Sequence, residues 1–138
     1  MKRLARFFQL SWQERRLVLE CTSLLVLATL AVALLPFSML QRWSGRKSRR
    51  ASARSVPESQ LRWAITAAGR AVPASTCLAE ALAAQVIMRR HGYDPVIRVG
   101  VCKQENGEFA AHAWVEHEGR IIAGGKNDLE KYDEMLVF

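Results

Sequence analysis

The sequence predicts an α+β fold, and three observations carry that prediction. Two helix-patterned runs, separated by Pro73, fill residues 57–91. Three runs rich in β-branched residues follow between 96 and 123, separated by turn signals. Nothing helical interrupts them, so they form an antiparallel meander with the helices set to one side.

The first helix opens at Ser11-Trp12-Gln13-Glu14, a capping box in which Ser11 accepts from the backbone and Glu14 reaches back. Residues 21–40 then run without a charged group, broken by Pro36. That length approaches a membrane span. Three features argue against one. Thr22, Ser23, Thr29 and Ser38 are scattered through it, Pro36 ends the helix early, and basic residues flank both ends, so charge assigns no orientation. The competing reading is a buried or membrane-surface helix. As a secretory signal the apolar run is too long and has no small-residue cleavage site. Residues 42–56, rich in Arg, Lys, Ser, Ala and Gly, read as a linker.

Residues 57–70 place Leu61, Ile65 and Ala68 on one helical stripe, with Trp63 to the side. A second helix runs from Cys77 to about His91, with Leu78, Ala81, Leu82 and Val86 as its apolar face. Gly92 stops it. Strands are predicted over 96–102, 109–117 and 120–123, with turns at Asn106-Gly107 and Glu118-Gly119. Residues 136–138 read as a short closing strand.

The chain has 138 residues, half of them hydrophobic, so it can hold one packed core and an appendage. Its net charge of +7 is uneven: residues 1–54 hold 11 Lys/Arg and 2 Asp/Glu, whereas 55–138 hold 9 and 11. The expected organisation is therefore a basic N-terminal segment with an apolar helix and linker over 1–54, and a slightly acidic domain over 55–138. Three widely spaced cysteines, Cys21, Cys77 and Cys102, make neither a disulfide framework nor a zinc cluster. Reduced thiols in a cytoplasmic protein are expected, with membrane association through residues 1–54 left open. No metal and no cofactor are expected. The basic run lacks aromatic residues for stacking on bases, so nucleic acid is not the expected partner.

Chemistry concentrates in two segments. Ser75-Thr76-Cys77-Leu78-Ala79-Glu80 puts a thiol at a helix start, where unpaired backbone N–H groups and the helix dipole favour thiolate and could hold an oxyanion. Ala111-His112-Ala113-Trp114-Val115-Glu116 puts an imidazole in a strand, sharing a face with Ala110, Trp114 and Glu116. Thiol and imidazole together make a nucleophile and its base. The bland alternatives are a small buried apolar cysteine and a hydrogen-bonded histidine. A two-residue turn at Glu118-Gly119 pairs His117 with Arg120 and sets His112 opposite Gly125, which has no side chain to orient the ring. The nearest candidates are Asp128, favoured because a carboxylate stabilises imidazolium better, and Asn127. Cys102 and Cys21 have no evident base. Glu80 complements the helix start.

These residues resemble a known family. Pro73-x-x-Thr76-Cys77-Leu78-x-x-Ala81-Leu82, Arg89-Arg90-x-Gly92, Ile97-x-Val99-Gly100-Val101 and Ala111-His112-Ala113-Trp114-Val115-Glu116 look like the lasso-peptide leader peptidases, the B proteins, over residues 57–138. The resemblance implies a transglutaminase-like (papain-like) core, a catalytic helix packed on an antiparallel sheet. It implies Cys77 as nucleophile and His112 as base. The family's aspartate would fall near Gly124 here, so Asp128 is a provisional assignment. It further implies cleavage of a leader peptide from a ribosomally made lasso precursor, recognition of that leader by a separate small protein, and closure of the macrolactam by a partner synthetase that uses ATP. Two alternatives remain: acyl transfer to an amine, and a non-catalytic membrane-associated scaffold.

Overall fold

The computed structural model describes residues 2–44, 56–125 and 129–138. Most of the linker therefore lies outside the described residues. The elements are α1 (Lys2–Phe8), α2 (Trp12–Leu34), α3 (Phe37–Ser44), α4 (Glu58–Ala71), α5 (Cys77–Arg90), β1 (Val96–Lys103), β2 (Phe109–His117), β3 (Arg120–Ala123), a 3-10 turn (Leu129–Lys131) and β4 (Asp133–Val137). The four strands form one antiparallel sheet in the order β3-β2-β1-β4. The α+β class is as the sequence predicts, with an apolar helix in front.

α2 begins with the predicted capping box: Ser11 N–H donates to Glu14 Oε2 at 2.8 Å, and Glu14 N–H to the Ser11 hydroxyl at 3.3 Å. It stops at Leu34, just before Pro36, whose ring cannot continue a helix. The chain then turns into α3, which sequence patterning did not separate from the apolar run.

α2 packs on both α4 and α5. Leu17, Cys21 and Leu25, one turn apart, are buried and join Leu61, Ala64, Leu82, Ile87 and Met88 in a single core cluster. Ile97, Ala113, Val115 and Ile122 supply the sheet side of that cluster. α3 returns to the same body. Leu40 and Ser44 are buried, Ser44 hydrogen-bonds Gln85, and Arg89 donates to the Ser44 carbonyl. Gln85 lies in the middle of α5 yet is satisfied on both sides of its amide, donating to Phe138 O at 3.1 Å and Pro95 O at 3.4 Å.

Cys21 has a thiol pushed up to about 12, chiefly by burial and secondarily by the Glu20 charge. The folded protein keeps this thiol neutral, while an unfolded chain ionises it near the ordinary value of 9.0. Its contribution to stability is therefore complete below pH 9 and lost as pH rises toward 12. Unfolding by urea at a series of alkaline pH values should show stability falling across that window. Cys21→Ala should have a shallower slope; an identical slope would mean that another group carries the effect.

Candidate functional site

Thr76 explains why α5 starts where it does. Its backbone is extended (φ −92°, ψ 161°) and its hydroxyl accepts the Ala79 N–H at 3.2 Å, an N-cap. Cys77 is thus the first helical residue, and the N–H groups of Cys77 and Leu78 have no helix carbonyl one turn back to bond. The Ser75 hydroxyl sits 2.7 Å from Glu80 Oε1 and 2.8 Å from Val72 O, so its single proton is shared between two acceptors. This ties the incoming loop to the first turn and gives Glu80 the terminus-complementing role expected of it. Cys77 is half-buried and packs against the core cluster. Among the described residues its sulfur makes no hydrogen bond.

His112 lies in β2 and is 4% exposed. Its ring stacks near Trp114 (centroids 6.2 Å, planes 20° apart) and meets Tyr132 at 5.7 Å. Gly100 makes room for that cluster: a Cβ there would lie 2.9 Å from the Tyr132 Cβ and 3.2 Å from the Trp114 ring. Trp114 Nε1–H donates to Glu116 at 2.9 Å, and Glu116 accepts from Arg98 at 2.8 Å. His112, Trp114 and Glu116 share a face, as the alternation requires.

Among the described residues, the group that meets the His112 ring is a backbone carbonyl. His112 Nε2 is 2.6 Å from the backbone carbonyl of Gly124. A carbonyl oxygen can only accept, so Nε2 carries the proton and the neutral ring keeps Nδ1 as its acceptor. Register explains how Gly124 arrives there. The turn residues Glu118 and Gly119 are both left-handed (φ 49° and 77°), and His117 pairs with Arg120 as predicted. Glu116 then pairs with Ile121, but Val115 pairs with Ala123, so a bulge adds one residue to the β3 side. Gly124 is thereby drawn beside Ala113 and Trp114, and the predicted alignment of His112 with Gly125 is lost. Asp128 and Asn127, the candidates from sequence, lie outside the described residues.

The structure brings His112, Gly124, Trp114 and Tyr132 together. It does not join Cys77 to His112 by a hydrogen bond. Ala113 and Val115 point into the helical core that Cys77 packs against, whereas Trp114 is buried outside that cluster, on His112's face. A cavity of about 410 Å³ opens nearby, among Leu25, Ile65, Gly69, Glu80, Ile122 and Gly124, and neither Cys77 nor His112 lines it. Among the described residues there is no cluster of His, Cys, Asp and Glu able to hold a metal ion.

Sequence reasoning missed one polar cluster. His117 is buried, and its Nδ1 lies 2.7 Å from Glu58 Oε2, with Arg120 3.1 Å from the same oxygen and the Tyr93 ring edge-on at 5.4 Å. It fastens the end of β2 to the start of α4. The partners are 59 residues apart, so no local spacing announces them.

A cysteine-headed helix laid against an antiparallel sheet, with a histidine in the second strand, defines the class of fold. The chain belongs to the transglutaminase-like superfamily, whose family model matches residues 18–137. That match takes in α2 from Val18 onward, in line with its packing on α4 and α5. The superfamily is compatible with cysteine peptidase and transferase activity. No curated protein and no solved structure matches the chain.

Proposed function

We propose that the chain is a cysteine peptidase that cuts the leader from a ribosomally made lasso precursor, working with a separate leader-binding protein and a macrolactam synthetase. Two separate observations support the chemistry: a capped, cysteine-headed helix, and a histidine whose Nε2–H is held by Gly124 O, which leaves Nδ1 as the basic nitrogen. The lasso assignment rests on the motif resemblance around Cys77 and His112.

The two side chains lie at a similar level along the sheet but on its opposite faces. Gln85 in α5 bonds Pro95, and Cys77 precedes Gln85 by about 12 Å of helix. Roughly the same distance along β1 reaches Val99, whose partner in β2 is Ala113; Ala113 faces the helical core, so its neighbour His112 faces the other way. In this reading the thiol–imidazole contact requires substrate binding to turn the β2 segment so that His112 leaves Gly124 and reaches the helical side. Cys77 Sγ attacks the scissile carbonyl while Nδ1 of His112 takes the thiol proton and delivers it to the leaving amine. In this reading the Cys77 N–H donates to the oxyanion. Water then cleaves the thioester, releasing the leader carboxylate.

The test is to mix the protein with a candidate precursor and its leader-binding partner and weigh the products. A leader ending in a free carboxylate, with a core peptide bearing a free amine, is the expected result. A leader mass carrying an added amine would identify acyl transfer, and intact precursor under conditions where all three components bind would remove the peptidase reading.

A further inference from the structure

α2 presents two opposite faces of the same polarity. The face with Leu17, Cys21 and Leu25 is buried in the core. The opposite face, at helical spacing from Trp12, carries Leu19, Val26, Leu27, Leu30 and Leu34, all exposed. Its only polar members are Arg16 and Ser23 near the N-terminal end, and the Ser23 hydroxyl is already spent on Leu19 O at 2.8 Å. Thr22 and Thr29 likewise bond Val18 O and Leu25 O. A helix side that simply faced water would be polar. On α3, Met39 and Trp43 are exposed apolar side chains as well.

What borders this face indicates its occupant. Exposed tryptophans stand at both ends, Trp12 and Trp43, and exposed basic residues accompany them, Lys2, Arg6 and Arg16 on one side and Arg42 on the other. Apolar side chains framed by tryptophan and cations match the layering of hydrocarbon, interface and anionic headgroup. Protein partners rarely supply that order, and the +9 balance of residues 1–54 favours an anionic surface.

We propose that α2 and α3 lie in the plane of an anionic phospholipid surface, with the exposed α2 face in the acyl boundary and the domain riding above it. α2 is long and apolar enough to span by length and composition. It does not span, because the chain is anchored to the same body before and after the excursion: at Leu17, Cys21 and Leu25 on α2, and at Leu40 and Ser44 on α3. A crossing would put those anchors on opposite sides of the bilayer. The proposal does not depend on the peptidase reading.

The experiment is co-sedimentation of the full chain with vesicles of phosphatidylcholine alone and of phosphatidylcholine with phosphatidylglycerol. Binding is expected to the anionic vesicles, to fall with added salt, and to weaken by at least about 10-fold in Leu27→Glu/Leu30→Glu, two exposed positions whose change leaves circular dichroism intact. Absence of vesicle binding, or equal binding by the double variant, overturns the proposal. So does a lipid-free dimer that the double variant splits, which would assign the face to a second copy. Loss of binding to the leader-binding protein alone would assign it to that partner and equally overturn the lipid reading.

Discussion

Alanine at Cys77 is expected to lower precursor cleavage by at least about 10⁴-fold, because the thiol forms the bond on which the reaction depends. The fold should survive: the side chain is half-buried in the first turn of α5, the cap is made by Thr76 rather than by the sulfur, and alanine is a good helix former. Matching melting curves for variant and wild type check this. Cys21→Ala and Cys102→Ala should keep cleavage within a few-fold in the same assay. His112→Ala on top of Cys77→Ala should add almost nothing, since groups that act as a unit are not additive. Cleavage by Cys77→Ala at a rate near wild type would leave the chain as a scaffold for chemistry done elsewhere.

Much of the architecture was legible because it rests on local chemistry. Ser11 and Glu14 announce the α2 start, Thr76 announces α5, and the Glu118-Gly119 turn fixes the pairing of His117 with Arg120. Legibility ended where one residue of register mattered. The bulge between Val115 and Glu116 follows from nothing in the local pattern, since Arg120-Ile121-Ile122-Ala123 reads as a regular strand, yet it brings Gly124 beside Trp114, where its carbonyl meets the His112 ring. α3 was hidden for a related reason. Pro36 signals an end, but the amphipathic turn after it becomes visible only when Leu40 and Ser44 find α5. Long-range polar ties such as Glu58 with His117 are set by the tertiary fold alone.

The Gly124 contact yields the second large effect. Gly124 has φ 75°, a left-handed backbone that side chains disfavour, and a Cβ there would sit 2.6 Å from Ala113 O and 3.0 Å from Trp114 Cα. These are backbone atoms of the strand that carries His112, so they cannot swing aside. Gly124→Ala is expected to cost roughly 2–4 kcal/mol of stability. It should also lower cleavage far beyond what the loss of folded protein explains, because moving this carbonyl releases Nε2–H and with it the tautomer, set before substrate binds, that makes Nδ1 the base. Asp128→Asn supplies the contrast. With Nε2–H already donated to Gly124 O, its effect on kcat/KM should stay within a few-fold and the pH profile should not move. Nitrogen chemical shifts of the His112 ring provide a readout that stability does not affect: the wild type should show the Nε2–H tautomer, and Asp128→Asn should preserve it. A loss of about 10³-fold in Asp128→Asn, together with a shifted pH profile, would instead make the carboxylate the orienting group and reduce Gly124 to a structural turn.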